Sequence, residues 1–276
     1  VVLKKLNLKS ETSNLDVWNC FLKRYKNPKN KIKVGLIGKY VELQDSYKSI
    51  LESFIHAGSE NEVDVEIVSI HSEYITKENV NSKLRSLNGV LVAPGFGERG
   101  IEGKILAINY VRTNNIPFFG ICLGMQMAVI EFARNVLNLK DSNSTEMNNN
   151  VAHPVIDLMK SQKNIVNKGG TMRLGSWECE LKKSSNVREI YSSNVIHERH
   201  RHRYEFNNDY LDEFQSKGFI ASGINSKTSL VEIFELNNHP WFIGVQFHPE
   251  YKSTVNNPHP LFVSFVKAGL THSKSN

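Results

Sequence analysis

Cysteine is scarce in this chain: 276 residues carry three, Cys20, Cys122 and Cys179, odd in number and far apart. That usage excludes a disulfide scaffold and fits free thiols in a reducing, cytoplasmic setting. No run approaches the roughly 18 consecutive apolar residues of a membrane span, and no secretory signal pattern is present. The net charge of +6 is modest, with its lysines and arginines scattered. A solvated surface is therefore expected rather than a nucleic-acid groove. Internal repeats are absent, and no domain-separating linker follows residue 31. What is present is 40% hydrophobic and 9% aromatic content, enough for one large core or two small ones.

The stretch that organises the rest runs from Ile116 to Met127. Ile116 to Ile121 reads as a buried strand of a parallel sheet, and it leads into Gly120-Ile-Cys122-Leu-Gly124 and an apolar helical pattern. G-x-C-x-G has the spacing of the G-x-S-x-G nucleophile elbow, with sulfur in place of oxygen. A sharp strand-to-helix turn needs flanking residues without a Cβ, so that the central side chain projects from the top of the sheet. A helix N-terminus behind the thiol favours a thiolate and offers N–H groups to a developing oxyanion. The bland alternative is a buried small hydrophobe, the usual state of a free cysteine.

Upstream, strand and helix patterns alternate. Residues 1–31 read as a lead-in arm whose Leu15, Trp18, Leu22 and Tyr25 share one face of a short helix ended by Asn27-Pro28. The first stretch lacks the pattern of a domain start, so a piece of a longer protein is expected. Ile32–Ile37, Val63–Ile70 and Gly89–Ala93 read as strands. A helix from Tyr47 to Ile55 would be capped by Asp45 or Ser46, and others are expected over 77–87 and 101–113. Such repetition implies a parallel sheet covered on both faces, with active groups at the strands' carboxyl ends. The Pro94–Gly97 loop and the elbow are two such ends and should face each other.

In the second half, residues 138–150 read as a polar surface loop containing Ser144-Thr145-Glu146. Strands are expected near Thr171–Leu181, His200–Phe206, Phe219–Ile224, Leu230–Leu236 and Trp241–Phe247, with helices near Asp209–Lys217 and Pro260–Leu270. The last strand delivers His248-Pro249-Glu250 to its end. Period-two geometry puts His248 and Glu250 on one face, where the carboxylate can hold the imidazole in the tautomer of a general base. Cys122 at one carboxyl end and His-x-Glu at another suggest a Cys-His-Glu hydrolytic triad. Between His197 and Arg203 the same alternation puts Arg199, Arg201 and Arg203 on one face and His200 and His202 on the other. Without cysteine or well-spaced carboxylates these histidines argue against a metal site.

Gly120-Ile-Cys-Leu-Gly-Met-Gln126 together with Phe247-His-Pro-Glu250 resembles the class I glutamine amidotransferases. Further motifs are similar to the glutaminase domains of the CTP synthases. They are Gly38-Lys-Tyr40, Asp45-Ser-Tyr47, Gly97-Glu-Arg-Gly100, Glu102-Gly-Lys104, Ser144-Thr-Glu146, Gly169–Gly175, Glu198–Tyr204 and His239-Pro-Trp241. The resemblance covers the chain from about Lys31 onward, with residues 1–31 similar to an interdomain linker and 32–276 to the glutaminase domain. It implies an α/β fold of flavodoxin-like kind, a mostly parallel central sheet with helices on both faces.

The resemblance also implies hydrolysis of L-glutamine to glutamate and ammonia by Cys122, His248 and Glu250 through a glutamyl thioester. Gly95 and Leu123 would supply the oxyanion hole. Gly95, Leu123, Gly124, Met125, Gln126, Glu146 and Arg203 would bind glutamine, with Glu146 on its ammonium and Arg203 on its α-carboxylate. No cofactor or metal is implied for this domain. ATP and Mg would belong to a synthetase domain of the same polypeptide that aminates UTP to CTP, GTP would be an allosteric activator, and the intact enzyme would be a homotetramer. Neither nucleic acid nor membrane is an implied partner. A glutaminase subunit serving another acceptor, or a non-catalytic regulatory module on the same fold, are the alternatives.

Two departures from the family pattern stand out. Ala93-Pro-Gly-Phe-Gly97 replaces the usual Pro-Gly-Gly-Phe-Gly, which keeps Gly95 but stiffens the loop. The segment between Pro154 and Gly169, a lid tied to the GTP response in the family, is shorter than usual.

Overall fold

The computed structural model describes residues 1–9, 14–158 and 172–275. Helices α1 (Val2–Lys5) and α2 (Asp16–Lys26) precede an alternating run. That run is β1 (Asn30–Gly38), α3 (Lys48–Glu60), β2 (Val63–His71), α4 (Val80–Leu84), β3 (Gly89–Val92), α5 (Ile101–Thr113), β4 (Phe118–Ile121) and α6 (Leu123–Asn135). The remainder is richer in strands. It comprises β5 (Ser142–Ser144), β6 (His153–Leu158), β7 (Arg173–Leu181), α7 (Asn186–Tyr191), β8 (Val195–His202), β9 (Tyr204–Phe206), α8 (Leu211–Ser216), β10 (Phe219–Ile224), β11 (Val231–Leu236), β12 (Phe242–Val245) and α9 (Pro260–Ser275).

Nine strands form one sheet in the order β2-β1-β3-β4-β12-β11-β10-β7-β8. From β2 to β12 every pairing is parallel, and from β12 to β8 every pairing is antiparallel. The parallel half is what the β-α alternation demands, because parallel neighbours need a crossover and the crossover helices cover both faces. Helices α5 and α6 close one face with Ile105, Ile108, Val129 and Phe132. Helices α3 and α9 close the other, where Phe54 meets Phe262 edge-to-face at 5.3 Å between centroids. Each fully buried side chain of this size contributes about 1.5–3 kcal/mol. The strands between them are apolar on both sides, as β3 and β4 show by being buried at every position.

Several expectations need correction. Residues 138–150 are not simply a surface loop, since β5 lies within them, pairs with β6 and buries Ser142 and Ser144. The expected strand His200–Phe206 is two strands, β8 in the large sheet and β9 in a three-stranded sheet with β5 and β6, with the break at Arg203. Neither Asp45 nor Ser46 caps α3: a 3-10 turn over Gln44–Tyr47 leads into it, and Tyr47 occupies the cap position without a side-chain bond. The helix expected over 77–87 shrinks to α4, and β6 and α7 were not anticipated.

The arm docks by a narrower face than its stripe suggests. Phe21 packs against His56 at 6.4 Å, its carbonyl accepts from Ser59 Oγ, and Arg24 pairs with Glu60 at 2.6 Å. Leu15, Trp18 and Tyr25 stay exposed. Most of the segment thought short, and Gly169 to Thr171 of the glycine-rich motif, lie outside the described residues. Among the described residues no helix is long and apolar enough to cross a membrane.

Candidate active site

Register brings the site together. Strand β4 pairs in parallel with β3 on one side, Val92 opposite Gly120, and with β12 on the other, Val245 opposite Ile121. The Pro94–Gly97 loop, Cys122 and the residues after Val245 therefore leave the sheet side by side, at neighbouring carboxyl ends as the alternation requires. The N–H of Cys122 donates to the Val245 carbonyl at 2.7 Å, so the elbow is tied to the strand that carries His248.

The elbow glycines are there because nothing larger fits. A Cβ on Gly124 would lie 2.2 Å from the Val92 carbonyl oxygen, and one on Gly120 would lie 2.8 Å from the Gly124 backbone. This close approach forces Cys122 into φ 52°, ψ −104°, a backbone conformation that only glycine adopts freely. The sulfur is thereby held at the N-cap of α6, where the first N–H groups have no intrahelical acceptor.

The Nδ1 of His248 lies 2.7 Å from Glu250 Oε1, while its Nε2 is buried without a hydrogen-bond partner among the described residues and the ring feels the Cys122 charge across the cleft they both line. All three side chains are buried. Burial works against protonation of His248, but the charges of Cys122 and Glu250, with the Glu250 hydrogen bond, outweigh it and raise the imidazole well above its ordinary range. The imidazolium is the form of His248 this environment favours. The backbone N–H of His248 donates to the Arg199 carbonyl at 2.8 Å, and its ring stacks on Tyr251 at 5.0 Å.

These residues open on a cleft of about 570 Å³ lined by Gly95, Phe96, Cys122, Gln126, Glu146 and Arg203 among others. Glu146 is half-buried and accepts the Gly97 N–H at 2.9 Å, so it braces the loop as well as facing the cleft. Gln126 donates to the Tyr204 carbonyl at 3.0 Å and to Gln246 at 3.2 Å, which ties up its amide nitrogen. The side chains of Leu123 and Met125 pack into the core and Gly124 lies against Val92, and none of these three expected glutamine-binding residues is among those lining the cleft. Arg203 sits at the break between β8 and β9.

Alternation along β8 holds: Arg199 and Arg201 are exposed while His200 and His202 are buried. The two imidazoles bond to each other at 2.7 Å within a buried group that includes Arg173, Glu205 and Glu232. Among the described residues no group of three or more His, Cys, Asp and Glu is placed to hold a metal ion.

Two residues of this region were given no role in the sequence reading, although Lys104 belongs to one of the quoted motifs. Gln246 Nε2 lies 3.8 Å from Cys122 Sγ. Its signal was available, since it is a polar residue in an apolar strand, in phase with His248 and Glu250. Lys104 is fully buried beneath the Pro94–Gly97 loop and bonds the Ala93 carbonyl.

Comparison with known proteins places the chain in a family. Residues 42–268 match the family glutamine amidotransferase class-I. The chain is 65% identical over 274 residues to a CTP synthase of Christiangramia forsetii, covering 99% of this chain and 50% of that protein. It is 63% identical over 275 residues to a CTP synthase of Flavobacterium johnsoniae, at 99% and 51% coverage. The chain thus spans about half the length of these relatives. Among solved structures, the glutaminase domain of Trypanosoma brucei CTPS with bound acivicin superimposes with a TM-score of 0.82 at 37% identity, covering 87% of this chain and 94% of that one.

Proposed function

This chain belongs to the class I glutamine amidotransferases, among the glutaminase domains of CTP synthases, and from that premise we propose how its own residues release ammonia from L-glutamine. His248 takes the Cys122 proton, with Glu250 holding Nδ1–H so that Nε2 faces the sulfur. The thiolate attacks the side-chain amide carbon, and Gln246 steadies the sulfur from the side. The N–H groups of Gly95 and Leu123 hold the tetrahedral oxyanion. One such donor is worth about 3–4 kcal/mol of barrier. His248 then protonates the departing nitrogen, ammonia leaves, and a glutamyl thioester remains. Water, deprotonated by His248, attacks the thioester and frees glutamate and the Cys122 thiol. Glu146 receives the substrate ammonium and Arg203 its α-carboxylate.

The wider setting follows from the relatives. We propose that residues 1–31 are a linker, that 32–276 are the glutaminase domain, and that the ammonia serves ATP- and Mg-dependent amination of UTP to CTP by a synthetase domain of the same polypeptide. The protein would work in the cytoplasm as a homotetramer, with GTP as activator and with no cofactor in this domain. The observation that supports the catalytic reading is that Cys122 lines one cleft with a His248 already fastened to Glu250. Glutamate release measured on wild type and on Cys122→Ala, with melting curves of both, tests it. Loss of turnover in a folded variant, and labelling by acivicin at Cys122, are expected. Turnover surviving in Cys122→Ala, or labelling at Cys20 instead, would overturn it.

A further inference from the structure

The turn that carries His248 and Glu250 is mounted on three consecutive residues of β8. The Arg199 carbonyl accepts the His248 N–H at 2.8 Å, and the His197 carbonyl accepts from Lys252 Nζ at 2.5 Å. Between them Glu198 is buried, 1% exposed. One oxygen of its carboxylate, Oε1, gathers three groups from separate places in the chain. It accepts from the Tyr191 hydroxyl at 3.1 Å, at the end of α7, and from His259 Nε2 at 3.1 Å, just before α9. It also lies 3.5 Å from Lys252 Nζ. The His259 tautomer is set by its other nitrogen: Nδ1 accepts the Leu261 N–H at 3.3 Å, so Nε2 carries the N–H that points at Glu198. The stretch from Lys252 to His259, which begins two residues after Glu250, is thus tied at both ends to one atom.

The turn has little of its own to hold it. It is a single 3-10 turn, Pro249–Tyr251, a form with poorer hydrogen-bond geometry than an α-helix. Glu250 Oε1 is spent on His248, and among the described residues Glu250 Oε2 has no hydrogen-bond partner. The carboxylate is therefore placed by its backbone, and the backbone by whatever fastens the turn. Ser253 Oγ adds ties to His56 Nδ1 on α3 at 3.0 Å and to the His259 N–H at 3.2 Å, but neither reaches β8. Stability does not account for Glu198, because apolar residues of similar volume in place of a buried ionic group often leave a fold equally or more stable. What a carboxylate oxygen does that an apolar group cannot is hold several donors at one point.

We propose that Glu198 is a positioning residue that acts through Lys252 and His259, holding the turn so that the Glu250 carboxylate stays on His248 Nδ1. This rests on reading His248 and Glu250 as the base and the group that orients it. Lys252 fixes the chain where it leaves the turn, and His259 fixes the same stretch where it enters α9. Helix α9 is itself anchored by Phe262 and Phe265, both fully buried. With Glu198 gone, the Lys252–His197 bond remains, but the far end of the stretch loses its only tie to β8 described here.

The test compares wild type, Glu198→Ala and Glu198→Gln by glutaminase kinetics and by proton NMR of the His248 Nδ1–H, assigned by its absence from His248→Asn. The resonance is read without glutamine, so it judges the positioning even if the glutaminase reading fails. In Glu198→Ala, kcat is expected to fall about 10- to 100-fold with KM within about twofold, because the base is displaced while Glu146 and Arg203 are untouched. The resonance is expected to shift or to broaden beyond detection. Glu198→Gln keeps an oxygen for Tyr191 and His259 and is expected to recover the resonance and most of the turnover. A lower melting temperature with kcat per folded molecule and resonance unchanged would mean a structural role alone and overturn the assignment. So would a fall in kcat with an unmoved resonance, or a Glu198→Gln variant no better than alanine. Should Glu198→Ala not fold, Lys252→Met takes its place, since that side chain is 42% exposed and its loss opens no buried cavity. A displaced resonance is expected there, and an unmoved one refutes the tie.

Discussion

Nδ1 of His248 lies 2.7 Å from Oε1 of Glu250, two residues along the same backbone and both buried beneath the cleft. The short separation in sequence makes the pair a local structure, whereas its placement at one cleft with Cys122 depends on strand register. Glu250→Gln keeps the shape but can present an amide N–H to the ring and so favour the wrong tautomer. Glutaminase kcat is expected to fall by about 10²- to 10⁴-fold with little change in KM. A loss below tenfold would mean that Glu250 does not orient the imidazole.

The elbow glycines give a stability prediction. Gly124→Ala places a methyl group against the rigid Val92 carbonyl at 2.2 Å. Destabilisation of about 3 kcal/mol is expected in denaturant unfolding. Gly218→Ala is the comparison: no atom lies within 4 Å, but φ is +88°, so only backbone strain of about 1 kcal/mol applies. Equal losses at the two positions would contradict the packing account.

The parallel half of the sheet and the elbow were legible because β3, β4 and β12 are uniformly apolar and end in residues of distinct chemistry. β5 was not, since its serines are satisfied locally: Ser142 Oγ donates to the Leu139 carbonyl at 2.7 Å, and Ser144 Oγ accepts the Glu146 N–H at 3.1 Å. A polar segment that meets its own hydrogen bonds reads as a loop. The break at Arg203 was hidden for another reason. Alternation runs in phase from β8 into β9, and period alone does not reveal that the chain changes sheets. Lys104 carried a signal, a charged residue falling between Ile101 and Ile108 on the buried stripe of α5.

The buried imidazoles set a pH dependence of stability. Burial, then repulsion from Arg173 and His248, lowers His202 to about 3, and burial likewise lowers His200. An unfolded chain protonates both near pH 6.5. Between those limits the unfolded state binds more protons, so their contribution is lost as pH falls. Glu232 and Glu205 oppose this: burial raises Glu232 from 4.5 to about 7 and Glu205 well above its ordinary range, so the folded state binds extra protons in that window. Below pH 4.5 Glu232 and Glu205 are protonated in both states and no longer offset the imidazoles. In His202→Asn, the stability deficit measured at pH 7 is expected to shrink as pH falls towards 3. A deficit constant across that range would show that His202 does not carry the linkage.

Strain at the nucleophile gives the last prediction. Cys122 holds φ 52° and ψ −104° because β4 and α6 are pressed together by the absence of side chains at 120 and 124. An L-residue there stores about 1–3 kcal/mol. Replacing the sulfur alone, as in Cys122→Ala, leaves that strain and removes a few apolar contacts. Cys122→Gly removes the strained Cβ as well, at a cost of about 0.5–1 kcal/mol in unfolded-chain entropy. The glycine variant is therefore expected to be at least as stable as the alanine variant, the reverse of the order at an ordinary buried position, and both are expected to be inactive. Denaturant midpoints of the two decide it: a glycine variant clearly less stable than alanine would mean that the elbow is relaxed, and that its geometry is set by something other than the forced turn at Cys122.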